Sequence, residues 1–158
     1  MHFSDNGTFK ILQVADLHYS VSDGDCRDLD PATLPSFLST GLDSNPCKGD
    51  VITSTLLSRT LSLEKPSLVV FTGDQLNGQT TSWDATSVLL KAIAQVVEAK
   101  IPWAMVFGNH DEQTTDLSKS EQMRVLTRLP YAMRDMEEGP QWVDGVGNFV
   151  AKVKSADP

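Results

Sequence analysis

Three short apolar runs in this chain break off in the same abrupt way, and that shared form constrains its fold more than any other feature. "FKILQVADLHYS" (9–20) breaks into Asp16-Leu17-His18, "VVFTGDQLNG" (69–78) into Gly73-Asp74, and "IPWAMVFGNHDE" (101–112) into Gly108-Asn109-His110-Asp111. Short apolar runs bounded by turn residues read as buried strands. Asp and Gly at a single strand end are ordinary turn chemistry. Carboxylate, imidazole and amide groups at three strand ends make one site only in a fold that brings those ends together.

Between the runs the spacing is helical. From Asp50, a candidate N-cap, Ile52, Leu56, Leu57, Thr60 and Leu61 recur at helical intervals until Lys65-Pro66. A second helix is expected from Trp83 to Ala99, with Val88, Leu89, Ala92, Ile93, Val96 and Val97 facing inward. Ser118 and Glu121 make a capping box for a third, which carries Met123, Leu126 and Leu129 before Pro130. The tail "VGNFVAKVKS" alternates as a last strand would, after a turn at Asp144-Gly145. Residues 21–49 are rich in Asp, Ser, Gly and Pro without a period, and read as a long loop of a kind that is often functional.

This βαβαβ order, with nearly continuous apolar strands, predicts an α/β fold of parallel strands with helices on both faces. Right-handed crossovers then bring the three C-terminal strand ends to one sheet edge, where ligands bind in such sheets. Asp16 and His18, two apart on extended chain, point the same way while Leu17 points inward. With Asp74 and Asn109 they offer two carboxylates, an imidazole and an amide oxygen, a donor set suited to metals of intermediate hardness.

Composition narrows the setting. At 158 residues, 40% hydrophobic and 22% charged, the chain suits one soluble domain with a core of its own. Its 13 Lys+Arg against 21 Asp+Glu give a formal charge of -8 without a basic run, which disfavours sequence-independent nucleic-acid binding. No apolar run reaches the roughly 18–20 residues that span a bilayer. The start "MHFSDNGTFK" lacks the apolar core of a signal peptide, so an untargeted chain is expected.

Cys26 and Cys47 are the only cysteines: a loop-closing disulfide, two plain thiols, or metal ligands. A disulfide would imply an oxidising compartment. "DGDCRDLD" (23–30) reads as a solvated acidic loop, because Arg27 stands where a calcium loop needs an oxygen ligand and the glycine and terminal glutamate are misplaced. Trp83, Trp103 and Trp142 are expected in the core or at an interface.

Taken together, "ADLHYS", "FTGDQLNG" and "FGNHDE" resemble, in order and position, the first three signatures of the calcineurin-like metallophosphoesterases: Asp-x-His, Gly-Asp and Gly-Asn-His-Asp/Glu. "CRD" (26–28), "EKPSLVVFTGDQLNGQ" (64–79) and "GVGNFVAKVKS" (145–155) are similar to the fungal and plant branch labelled purple-acid-phosphatase-like. The resemblance implies half of a four-layer αββα sandwich and a centre of two divalent or trivalent ions, Mn, Fe or Zn. It implies that Asp16 and His18 bind one ion, Asp74 bridges the two and Asn109 binds the second. His110 would face the phosphate, with Asp111 holding its ring. Independently of the resemblance, Arg27 in the loop could reach a substrate phosphate from the mouth.

Two departures from the family pattern matter. True purple acid phosphatases carry an iron-binding tyrosine three residues after the bridging Asp, where this chain has Asn77; a colourless site is expected. The family's C-terminal half adds metal-binding histidines, whereas this chain holds His2, His18 and His110 and none beyond. One ion position then has three of its expected ligands and the other only Asp74 and Asn109. The expectation is an N-terminal portion of a phosphoesterase domain, 1–158, completed by a C-terminal half or a second chain, and hydrolysing phosphate esters or phosphoproteins once complete. The alternative is a catalytically impaired short form acting as a binding module. Nuclease or phosphodiesterase action is disfavoured by the acidic surface.

Overall fold

The structure, a computed structural model, describes residues 1–22, 24, 26, 30–33, 35–39, 48–78, 82–137, 139–140 and 142–156. Strands β1 (Ile11–Val14), β2 (Leu68–Thr72) and β3 (Trp103–Val106) form one sheet in the order β1-β2-β3, every pair parallel. Around it lie helices α1 (Ser36–Ser39), α2 (Gly49–Glu64), α3 (Ala85–Glu98) and α4 (Lys119–Leu126), with 3-10 turns at Pro31–Thr33 and Arg134–Glu137. The α/β class and the βαβαβ order are those expected.

Local chemistry explains the boundaries. α3 begins at Ala85 rather than Trp83, because the Asp84 carboxylate accepts from the Ser87 N–H at 3.0 Å and caps the helix there. α4 carries the expected capping box: the Ser118 hydroxyl accepts from the Glu121 N–H, and the Glu121 carboxylate accepts from the Ser118 N–H at 2.9 Å. α2 corrects the sequence expectation. Its cap position is Lys48, without a side-chain cap, and Asp50 lies inside the first turn, buried and paired with Lys91 on α3. A carboxylate there still complements the helix dipole. The helix stops at Lys65, in the left-handed region at φ 45°, just before Pro66.

The register sorts the sheet into two faces. Val69 pairs with Leu12 and Trp103, and Phe71 with Val14 and Met105, so these six side chains share one face. Val69, Phe71, Trp103 and Met105 are fully buried, packed with the buried Val88, Leu89, Ala92, Ile93 and Val96 of α3 and Leu57 and Leu61 of α2. Trp103 sits edge-on to Phe71, with ring centroids 6.3 Å apart.

Helices on both faces were expected, but α2 and α3 pack against each other. Strand order explains why: two successive crossovers of one hand, stepping the same way across the sheet, place both helices on one side. The opposite face is less covered, with Ile11 56% exposed and the exposed Gln13 donating to Thr72 Oγ1 at 3.1 Å.

The tail also departs from expectation. Residues 145–155 form no strand; Lys154 makes a single bridge to His2, with its N–H on Met1 O and its carbonyl accepting from Phe3 N–H. Alternation becomes a strand only where a neighbouring backbone completes the ladder, and among the described residues only Met1–Phe3 does so. Trp83 and Trp142 are exposed, the latter by 86%, so of the three tryptophans Trp103 alone is core. Cys26 is disulfide-bonded, which selects the first of the three cysteine readings; Cys47 and Arg27 lie outside the described residues. No helix among the described residues is long and apolar enough to cross a membrane.

Candidate metal centre

Parallel strands of similar length deliver their C-terminal tips to one edge, and there the backbone leaves regular structure in a concerted way. Asp16 (φ 56°), His18 (φ 48°) and Asp74 (φ 55°) all adopt the left-handed region, uncommon for residues with a Cβ. Such conformations persist where surrounding bonds over-determine them, and they concentrate at functional sites. Here the surrounding bonds continue the β1-β2 pairing past both strands. The N–H of Asp16 donates to Gly73 O, that of His18 to Asp74 O and that of Tyr19 to Gln75 O, at 2.9–3.0 Å, and the Asn77 N–H returns to Tyr19 O at 2.8 Å.

The kinked ladder gathers three donors. One ligand atom from each of Asp16, His18 and Asp74 falls within 4.8 Å of the others. His18 Nε2 lies 3.8 Å from Asp16 Oδ1, and their side chains are 39% and 69% exposed, open to an incoming ion. Tyr19, next in sequence, is fully buried; burial, together with the negative charge of Asp50, pushes its phenol up to about 12 against the lowering effect of its Ser54 hydrogen bond. It remains neutral and anchors the loop as an apolar body with one polar tip.

The third tip is held differently. Asp111 is fully buried and accepts four backbone N–H groups: Gln75 (2.8 Å) and Leu76 (3.0 Å) on Oδ1, Asp74 (2.9 Å) and Gly108 (2.7 Å) on Oδ2. One carboxylate thus ties the β3 tip to the β2 tip. The Asp74 carboxylate answers in the other direction, its Oδ1 accepting from the His110 N–H at 2.8 Å. Gly73 (φ 110°) is needed here because a Cβ would meet Gly108 N at 2.7 Å.

His110 stands beside the donor cluster, its ring centroid 5.2 Å from that of His18. Its Nδ1 lies 2.7 Å from Gln113 Oε1, so Gln113, not Asp111, holds the ring; Asp111 acts on backbone instead. Asn109 is exposed between the two anchored residues Gly108 and His110, and its side chain has no hydrogen-bond partner among the described residues.

Gln113 was missed in the sequence, where its only signal is its place three residues after His110. The role of Gln75 was missed too. It is buried beside Asp74, its amide donates to Gly73 O, and its Oε1 has no partner among the described residues.

The donor chemistry fits a metal. Two carboxylates and an imidazole, converging without hydrogen bonds that satisfy one another, suit a transition ion or Mn²⁺ better than an all-oxygen calcium site.

Comparison with known proteins agrees with this geometry. The family model described as calcineurin-like phosphoesterase matches residues 9–151, a span that contains every residue of the cluster. The chain belongs to the calcineurin-like phosphoesterase family. Among curated relatives, Phosphatase DCR2 of Saccharomyces cerevisiae is 39% identical over 154 residues, 96% of this chain and 25% of that protein. Probable inactive purple acid phosphatase 14 of Arabidopsis thaliana is 32% identical over 158 residues, 98% of this chain and 36% of that protein. Probable inactive purple acid phosphatase 28 from the same plant is 36% identical over 167 residues, 99% of this chain and 38% of that protein. The chain therefore spans only a quarter to under two-fifths of the length of these relatives. Membership in the calcineurin-like phosphoesterase family implies divalent metal ions, and the Asp16-His18-Asp74 group is one that could bind them.

Proposed function

We propose that this chain carries part of the metal centre of a phosphomonoesterase acting on small phosphate esters or phosphoproteins. The convergence of Asp16, His18 and Asp74 within 4.8 Å at adjacent strand tips is the observation that carries the reading. Asp16 and His18 would hold one ion, Asp74 would lie between two, and Asn109 would reach the second. Bound there, Mn, Fe or Zn ions would supply Lewis-acid activation of the attacking water and neutralise charge at the phosphoryl group.

The remaining chemistry falls to the chain itself. Gln113 Oε1 accepting from His110 Nδ1 fixes that ring and leaves Nε2 facing outward from the pair. With Nδ1–H committed to Gln113, only the protonated ring carries an Nε2–H as well, and in that form it would donate to a phosphoryl oxygen or pass its proton to the leaving alkoxide. Asp111 keeps the backbone of the two tips in register while this happens.

Hydrolysis of a phosphate monoester needs one of the largest rate enhancements known. With His18 and His110 the only histidines after residue 2, the second ion position has only Asp74 and Asn109 from this chain. Residues 1–158 alone should therefore turn over p-nitrophenyl phosphate slowly or not at all in Mn²⁺. Turnover should appear when the histidine-bearing C-terminal half of a relative is supplied in cis or as a second chain, and Asp74→Asn should abolish it. Robust Mn²⁺-dependent hydrolysis by the short chain alone would contradict the half-site account.

A second reading, a metal-binding interaction module without turnover, draws support from the histidine count and from relatives whose own names call them probable inactive. Absence of turnover in the completed protein, with metal binding intact, would select it.

A further inference from the structure

We propose that Lys91 and Asp50 are positioning residues for the Asp16–His18 loop, an inference that rests on the metal reading above. The two lie on different helices, α3 and α2, and neither belongs to the strand-tip motifs. Asp50 is 6% exposed, and the Lys91 side chain, 27% exposed, meets its Oδ2 at 3.0 Å. A largely buried ion pair is a weak source of stability, because desolvation offsets its attraction. What the pair does hold is one residue of the loop.

Ser20, two residues past His18, is gripped at both backbone groups. Its N–H donates to Asp50 Oδ2 at 3.2 Å, and its carbonyl accepts from Lys91 Nζ at 2.8 Å. Three groups close a ring: Ser20 N–H, the Asp50 carboxylate and the Lys91 ammonium returning to Ser20 O. The neighbouring residue is fixed from the same side, since Tyr19 OH lies 2.8 Å from Ser54 Oγ on α2. Gly24 packs on the ring closely enough that a Cβ would stand 3.2 Å from Asp50 Oδ1.

The geometry gives this anchor a purpose. His18 is held at φ 48°, where a residue with a Cβ remains only if both flanks are pinned. On one flank Asp16 is pinned to Gly73 O. On the other, Ser20 is pinned by charge to the two crossover helices. Releasing Ser20 lets residue 18 relax toward negative φ, which swings the imidazole away from Asp16 and Asp74. Lys91 and Asp50 thus act through the loop backbone without touching an ion or a substrate.

Two readouts test this on the full chain. The first uses the metal-free protein: amide exchange by NMR at His18 and Tyr19, whose N–H groups donate to Asp74 O and Gln75 O. Lys91→Met should speed exchange at both while the amides of α3 keep their protection. The second is calorimetric titration with Mn²⁺, in which Lys91→Met should weaken binding by about ten- to a hundredfold. Lys91→Arg should restore most of it, and Leu61→Val, a core change toward the other end of α2, should leave it unaltered.

Unchanged exchange at His18 and Tyr19 in Lys91→Met overturns the proposal. So does Mn²⁺ affinity equal to that of the unaltered chain. If Lys91→Met fails to fold, Lys91→Gln decides, since it keeps a donor for Ser20 O and loses the charge: intermediate Mn²⁺ affinity and exchange support the anchor, and wild-type values overturn it. Absence of Mn²⁺ uptake by the unaltered chain would count against the metal reading instead, and the exchange arm would still decide the anchor.

Discussion

The tips of β1 and β2 are joined by backbone, whereas the tip of β3 is joined to them by side chains. Between β1 and β2, the hydrogen bonds from Asp16, His18 and Tyr19 extend the ladder beyond the strands, and no side-chain substitution removes those groups. Between β2 and β3, the Asp111 carboxylate takes four N–H groups and the Asp74 carboxylate takes one, so the junction depends on two residues. The difference teaches where precision is stored. The Asp16-His18-Asp74 cluster is built on the rigid backbone junction, whose far flank at Ser20 is held by the Asp50–Lys91 pair, and Asn109 and His110 are presented by the one that two carboxylates maintain.

The strongest way to break the comparison is Asp111→Ala. Four buried or half-buried N–H groups would lose their acceptor at once, at a cost of at least about 3 kcal/mol, since each unsatisfied buried donor costs roughly 1–3 kcal/mol. Denaturant unfolding would measure it. Amide exchange should rise most at Gly108, Asp74, Gln75 and Leu76, and stay slow at His18 and Tyr19. Equal loosening of both junctions would erase the distinction.

Next in size is Gly73→Ala. The new Cβ would meet Gly108 N at a position where φ is 110°, so strain and a close contact add. A loss of about 1–3 kcal/mol is expected, with Mn²⁺ affinity falling in step because residue 73 also supplies the acceptor for Asp16 N–H. A neutral Gly73→Ala would show that the tips approach less closely than described.

Much of this was legible beforehand, and the pattern of what was not has a physical basis. The strand ends, the caps at Ser118 and Glu121, and the inward faces of α3 are set by neighbours within four residues, which periodicity reports. Asp16, His18, Asp74, Asn109 and His110 announced themselves because their residue types are unusual at apolar strand ends. The Asp50–Lys91 pair spans 41 residues and the Asp111 grip on Asp74 spans 37, and no local period encodes such distances. Local pattern therefore reads Asp50 as a cap, and the family resemblance alone makes Asp111 a ring partner of His110. The tail was misjudged for a related reason: alternation in 145–155 states which side chains could face inward but not whether a neighbouring strand is there.

The smallest effects sharpen the comparison by lying outside it. Hydrogen bonds from Ser87 hold the Asp84 carboxyl below its usual range, and those from Ser118 do the same for Glu121. Groups with depressed native values stabilise the fold above their ordinary carboxylate range and lose that contribution as pH falls through it. Stability should thus decline modestly on acidification. Ser118→Ala should cost about 1 kcal/mol and remove the Glu121 part of the decline, with Mn²⁺ binding at neutral pH unchanged. A cap variant that weakened Mn²⁺ binding as much as Lys91→Met would mean that the site responds to stability in general and not to its own anchors.

The central claim is that Asp16, His18 and Asp74 hold one ion on the rigid junction, and calorimetric Mn²⁺ titration of the unaltered chain beside His18→Ala and Asn109→Ala tests it most directly. The account predicts a main binding event that His18→Ala removes almost entirely and Asn109→Ala leaves largely in place, with all three chains equally folded by circular dichroism. Equal affinity in the unaltered chain and His18→Ala, or a greater loss in Asn109→Ala than in His18→Ala, would contradict it.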